Sequence, residues 1–135
     1  MDSSEVAGSP SVHLDEIGQI AVTVSDLARS KDFYQNVLGL KFLFDAGPMS
    51  FFQCGKIRFA IGTSNTPVAP SGTILYFRVP DIQSAHRALA ARGVDFIQAP
   101  VRVAQMAGHD LWLAAFRDPD GNPIELMCEL PRAAA

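Results

Sequence analysis

Cysteine is scarce: Cys54 and Cys128 are the only two in 135 residues, and their wide spacing fits neither a disulfide framework nor a CxxC metal knuckle. Both read as small buried hydrophobes. Positive charge is not in excess either. Eleven Lys and Arg stand against fourteen Asp and Glu, a formal net charge of −3. No basic tail or stripe is present to neutralise a run of phosphates, which argues against nucleic acid as a partner. Long apolar runs are missing as well: the longest extends only from Leu111 to Phe116, far short of the roughly 20 residues that cross a bilayer. No membrane partner is expected. The opening stretch MDSSEVAGSPSV has neither a basic n-region nor an apolar h-region, so it does not read as a signal peptide and a cytoplasmic protein is the default expectation.

What the chain does have is a core-forming composition. Hydrophobic residues make up 48% and charged residues 19%, ordinary globular usage and too apolar for disorder. The length suits one domain, or two very small modules that share a core.

A weak internal repeat supports the second form. Shifted by about 55 residues, Ile20-Ala-Val-Thr-Val24 faces Leu75-Tyr-Phe-Arg-Val79, Asp26-Leu27 faces Asp81-Ile82, Gly39 faces Gly93, and Phe42-Leu43 faces Phe96-Ile97. Each copy opens with a β-prone run and an N-cap candidate, Ser25 or Asp26 in the first and Asp81 in the second. The spacing of Ile82, Ala85 and Leu89, and of Leu27, Tyr34 and Leu38, predicts two helices that each bury one side. Gly39 and Gly93 end them, and extended runs follow at 40–44 and 94–98. Two further strands per copy flank short turns, Cys54-Gly55-Lys56 in the first and Asp118-Pro119-Asp120-Gly121-Asn122 in the second.

Each half therefore reads βαβββ. The expected fold class is α+β, two tandem βαβββ modules whose curved mixed sheets form a shared cleft. A single domain is expected over 14–130, with module one at 14–62, a Pro/Ser/Thr-rich linker at 63–72 and module two at 73–130.

Three stretches carry a family resemblance: Ile17-Gly-Gln-Ile-Ala-Val-Thr-Val-Ser-Asp-Leu27, Phe33-Tyr-Gln-Asn-Val-Leu-Gly-Leu40 and Phe116-Arg-Asp-Pro-Asp-Gly-Asn-Pro-Ile-Glu-Leu126. With the repeat, they make the chain resemble the vicinal oxygen chelate superfamily. That group includes glyoxalases, methylmalonyl-CoA epimerases, extradiol dioxygenases and the bleomycin and fosfomycin resistance proteins. The resemblance implies a divalent metal ion (Zn, Ni, Mn or Fe) bound by the first and last strands of each half, which a substrate chelates through two neighbouring oxygens.

Carried onto this chain, the family's ligand positions fall on Gln19 and Glu125. The other two fall on Ile74 and, with Gly55 aligned to Gly121, on Phe59, neither of which can coordinate a cation. The extradiol dioxygenase reading fares worst, since it needs two His and one carboxylate.

His109, placed after a loop long enough to fold over the cleft, is a candidate extra ligand, general base or hydrogen-bond donor. Its alternative is a loop His that caps local backbone. Glu125 lies between apolar Ile124 and Leu126, so its side chain takes the opposite strand face. It is a candidate base or ligand in the cleft, or else a salt-bridged strand Glu. Gln19 is a metal ligand, an orienting amide or a core amide satisfied by backbone. His13 and His86 are expected to be solvated. Trp112, Tyr76 and Phe59 are candidate walls for an apolar or aromatic ligand, while most of the remaining Phe belongs to the core.

Two functions follow from the resemblance. One is a glyoxalase-like lyase or isomerase that abstracts a proton next to a carbonyl, with Glu125 and His109 catalytic. The other is a metal-free, drug-sequestering binder of the bleomycin-resistance type. A small-molecule ligand and a homodimer are the expected partners.

Overall fold

A computed structural model of the chain describes residues 12–64 and 72–132. Module one comprises β1 (Gln19–Thr23), α1 (Leu27–Asp32) with a π-helical extension (Phe33–Val37), β2 (Lys41–Ala46), β3 (Met49–Cys54) and β4 (Ile57–Gly62). Module two repeats the order with β5 (Leu75–Arg78), α2 (Ile82–Ala91), β6 (Phe96–Met106), β7 (His109–Arg117) and β8 (Pro123–Pro131). Most of the expected linker, residues 65–71, lies outside the described residues.

The helices start where the sequence supplies caps. Asp26 accepts from the Arg29 backbone N–H and Asp81 from that of Ser84, each at 3.1 Å, satisfying donors that a first helical turn leaves unpaired. Each module forms one four-stranded sheet, in the orders β1-β4-β3-β2 and β5-β8-β7-β6. The first strand of each runs parallel to the last, β1 to β4 and β5 to β8, and the other neighbours are antiparallel.

Strand alternation sorts the sheet faces. In sheet one, Ile20, Val22, Phe52, Phe59 and Ile61 point to the helices. In sheet two, Phe77, Ala114, Phe116, Ile124, Leu126 and Cys128 do the same, and both sets join one contiguous core with Tyr34, Ile82 and Leu89. The opposite, open faces carry Gln19 and Ala21 on β1, and Tyr76 and Arg78 on β5, all exposed.

The modules join through the helix side. Tyr34, fully buried, donates its hydroxyl to Asp118 at 2.7 Å, and Phe33 packs on Phe116. Asp120 accepts from the Ser25 backbone at 3.0 Å and from the Ser30 hydroxyl at 3.3 Å. Arg92 at the end of α2 donates to the Val37 carbonyl at 2.8 Å. The turn at 118–122 is thus a module connector as well as a hairpin.

One stretch departs from expectation. The segment before His109 is not a long loop: β6 continues to Met106 and pairs with β7 as far as Met106 opposite His109. Gly108, at φ 81°, takes the left-handed turn between them. The interior Pro100 disguised the strand, because proline lacks the ladder donor. The register accommodates it with irregularities between Gln98 and Val101.

Candidate functional site

The open faces hold the polar groups that the core excludes, and strand register fixes which of them meet. On sheet one, Gln19 stands opposite Arg58, Arg58 opposite Gln53, and Gln53 opposite Lys41. One polar row therefore crosses all four strands. The next row, one pleat along, runs Ala21, Ala60, Phe51, Phe44. Phe44 and Phe51 stack, with ring centroids 4.7 Å apart and planes 22° from parallel. Arg58 donates from Nε to Gln19 Oε1 at 3.0 Å, and its guanidinium carbon lies 5.9 Å from the centre of the Phe51 ring.

On sheet two, Glu125 stands opposite Tyr76 on β5 and opposite Ala115 on β7. It is half-buried, and among the described residues no hydrogen bond or ion pair engages its carboxylate. This favours the open-face placement over the salt-bridged alternative. Tyr76, an expected ligand contact, is 47% exposed on the same face.

Further along that face, Glu129 links Arg78 and His109. Arg78 donates from Nη1 to its Oε1, and the His109 Nε2 lies 3.0 Å from its Oε2. The Arg78 hydrogen bond, opposed by partial desolvation and assisted by His109, holds the Glu129 carboxyl below its ordinary range.

His109 does not join Glu125. Its register partner is Pro131, six positions along β8 from Glu125, a separation of about 20 Å at the rise of an extended strand. The two cannot act on one reacting carbon in the same chain. His109 begins β7 directly after a tight turn, not after a loop long enough to fold over the cleft, and its partner is Glu129.

Two expected wall residues lie elsewhere. Phe59 is 1% exposed inside the core, its ring 4.9 Å from that of Tyr34. Trp112 pairs with Cys128 and packs against the core, on the sheet face opposite Glu125. The Phe59 placement came from aligning the two turn glycines. By strand register the counterpart of Glu125 is Ala60: Tyr76, its partner on β5, corresponds to Ala21, which pairs with Ala60. The signal lay in β4 itself, where apolar Ile57, Phe59 and Ile61 alternate with Arg58. Of the other histidines, His13 is exposed, and His86 is half-buried with its ring against Phe96.

The residues at the family's ligand positions do not compose a metal site. Gln19 Oε1 already accepts from a guanidinium, whose fixed positive charge repels a divalent ion at that point. Ile74 and Ala60 have no donor atom, which leaves Glu125. Among the described residues, no group of three or more His, Cys, Asp or Glu is placed to hold a metal.

A separate apolar pocket of about 320 Å³, lined by Leu38, Leu40, Phe77, Ala85, Leu89 and Leu126 among others, lies between the modules on the helix side, behind the sheet from Glu125. Among the described residues no helix is long and apolar enough to cross a membrane.

Two four-stranded mixed sheets, each built as βαβββ and joined in tandem, define the class of fold. A family model, the Glyoxalase/Bleomycin resistance protein/Dioxygenase superfamily, matches residues 16–126, and the chain belongs to that superfamily. It is 25% identical over 123 residues to the virulence protein STM3117 of Salmonella typhimurium, covering 84% of this chain and 83% of that protein. The crystal structure of that protein superposes with a TM-score of 0.72 at 24% identity, over 87% of this chain and 98% of the other. A lactoylglutathione lyase structure from Agrobacterium tumefaciens gives a TM-score of 0.69 at 20% identity, over 84% and 92%. At these identities the structures establish the fold; the chemistry rests on the residues of this chain.

Proposed function

We propose that the chain is a glyoxalase-like enzyme acting on a small oxygenated molecule, in which Glu125 removes a proton next to a carbonyl. The observation that carries this reading is the Glu125 carboxylate, half-buried on an open sheet face with Tyr76 beside it and no hydrogen-bonding partner among the described residues. A general base must be free to take a proton, and a carboxylate locked in a salt bridge is not. As the C–H bond breaks, its electron pair moves onto the carbonyl oxygen as an enolate. Return of the proton to the same carbon from the opposite side completes an epimerisation; in a hydroxyketone, its delivery to the former carbonyl carbon, while the hydroxyl proton passes to the former carbonyl oxygen, completes an isomerisation.

The same reading takes a second copy of the chain to close the cleft. Both sheets turn their apolar faces to one shared core, and among the described residues no hydrogen bond or ion pair joins Gln19 or Arg58 to Glu125 within one chain. β1 and β5 are edge strands, and exposed Ile74 and Tyr76 lie on or beside the β5 edge. Unpaired edges with exposed apolar side chains favour strand pairing between copies. A homodimer would bring sheet one of each protomer against sheet two of the other.

The test is solvent deuterium exchange into a panel of 2-oxo acids and hydroxyketones, followed by proton NMR. Enzyme-dependent exchange in the wild type, lost at least about 100-fold in Glu125→Gln with the fold intact, is the expected result for removal of a general base. Exchange that survives in Glu125→Gln overturns the assignment. A second reading, sequestration without turnover, is favoured by the stacked Phe44 and Phe51 on an open face. It predicts ligand binding with no exchange in any variant.

A further inference from the structure

The guanidinium that excludes a metal from Gln19 has a use of its own. Arg58 spends Nε on Gln19, and among the described residues neither of its Nη groups has a partner. The side chain is exposed on the open face, and Gln19 on one side and the Phe51 ring beneath limit its rotamers. The row it belongs to holds a second cation, Lys41, and no carboxylate. The acid on β2, Asp45, is engaged by Lys31 of α1 and by Ser50 opposite it on β3. One pleat away, the stacked Phe44 and Phe51 offer an aromatic platform, Phe44 being 43% exposed.

We infer that the open face of sheet one is a metal-independent binding site for a small aromatic or arylalkyl carboxylate, with the Arg58 guanidinium in the place of a metal. A planar fork presents paired N–H donors that match the two oxygens of a carboxylate, or the carboxylate and keto oxygens of a 2-oxo acid. Lys41 adds charge at the far end of the row, and an aryl group extending from the carboxylate reaches the Phe51 and Phe44 rings. The site stands on sheet one alone and does not depend on Glu125 acting as a base. If the proposed reaction holds, it sets the substrate class: an aromatic acid whose carbonyl lies beside the carboxylate.

Phenylacetate is the probe, because it has the aryl group and the carboxylate but is not consumed; phenylacetamide is its neutral control. Titration of the metal-free wild type, by calorimetry or by NMR shifts of β1–β4 amides, is expected to show saturable phenylacetate binding at least about tenfold tighter than phenylacetamide. Arg58→Gln should weaken phenylacetate at least about tenfold, Arg58→Lys less, and Phe51→Leu should weaken both probes. Added Zn²⁺ should leave the affinity unchanged. Glu125→Gln should still bind phenylacetate saturably and in an Arg58-dependent way, so loss of exchange in that variant with retained binding separates this site from the proposed catalysis.

Equal binding of the two probes, retained affinity in Arg58→Gln, a requirement for metal, or no binding by the wild type at millimolar probe each overturns the assignment. Thermal unfolding of each variant checks that the fold is kept.

Discussion

The Tyr34 hydroxyl donates to the Asp118 carboxylate at 2.7 Å across the junction of the two modules, with Tyr34 wholly buried and Asp118 4% exposed. Burial, then the negative charge of Asp118, pushes the Tyr34 phenol far above its ordinary range, which keeps it in the protonated, donating form. Asp118 also accepts from the Asp120 and Asn122 backbones and from the Asn122 amide. One carboxylate therefore shapes the turn and fastens it to the π-helical segment of the other module. Tyr34→Phe removes one donor to a buried charged acceptor and is expected to cost about 1.5–3 kcal/mol. Urea unfolding measures this; a change under about 0.5 kcal/mol, the range of neutral surface substitutions, would show that the bond does not couple the modules.

Phe59 and Phe51 make a contrast within one sheet. Phe59 is 1% exposed and packs on Tyr34, whereas Phe51 is half-buried on the open face. Phe59→Ala opens a core cavity and is expected to destabilise by about 3–5 kcal/mol. Phe51→Ala should cost no more than about 1 kcal/mol while weakening the aromatic probe. Paired denaturation curves decide this, and equal losses would place both rings in the core.

These two rings also show what was legible from residue order. The cap residues Asp26 and Asp81 and the turn at 118–122 are local signals, and the elements formed where they point. Glu125 was legible because Ile124 and Leu126 on either side fix its face. Tyr76 was read as a cleft wall, but its place directly opposite Glu125 was not, since parallel pairing of β5 with β8 joins residues about fifty positions apart. Arg58 was overlooked because turn glycines aligned the two copies. The turns differ in length, and a one-position slip exchanges the faces of a whole strand. The long β6 was hidden by Pro100, a local signal that the sheet overrides with irregular register.

Acid stability should depend on Glu129. Its carboxyl titrates below the ordinary value of 4.5 because Arg78 and His109 favour the ionised form. A group whose folded-state pKa is depressed stabilises the fold fully above its unfolded value, and that contribution disappears as pH falls through the folded value. The loss therefore falls below about pH 4.5. Asp45, held down by Ser50 and Lys31, adds in the same direction. Melting temperature against pH should fall on the acid side, with a shallower fall in Glu129→Gln. An unchanged slope in that variant would remove the Arg78–Glu129–His109 cluster from the acid response.

Metal loading gives an independent check on the donor set. Incubated with Zn²⁺, Ni²⁺, Mn²⁺ or Fe²⁺ and then desalted, the protein is expected to retain well under one ion per chain, since a single carboxylate beside an arginine-bound amide makes a weak site. Glu125→Ala should behave the same. Near-stoichiometric metal in the wild type, lost in Glu125→Ala, would restore the chelate mechanism that the Gln19–Arg58 bond argues against.

The last expectation concerns the second copy. If each cleft pairs sheet one of one protomer with sheet two of its partner, Arg58 and Glu125 act in the same cleft but come from different chains. Arg58→Gln and Glu125→Gln homodimers each then have two damaged clefts. In a heterodimer of the two variants, one cleft collects both lesions and the other is intact. Statistical mixing makes about half of the dimers heterodimers, so co-refolded variants should recover about a quarter of wild-type exchange activity. Light scattering establishes the dimer, and the mixed sample reads the cleft. Read below saturating substrate, exchange above the mean of the two parents requires composite clefts, whereas a dimer with no such gain would mean that Arg58 and Glu125 never face one another.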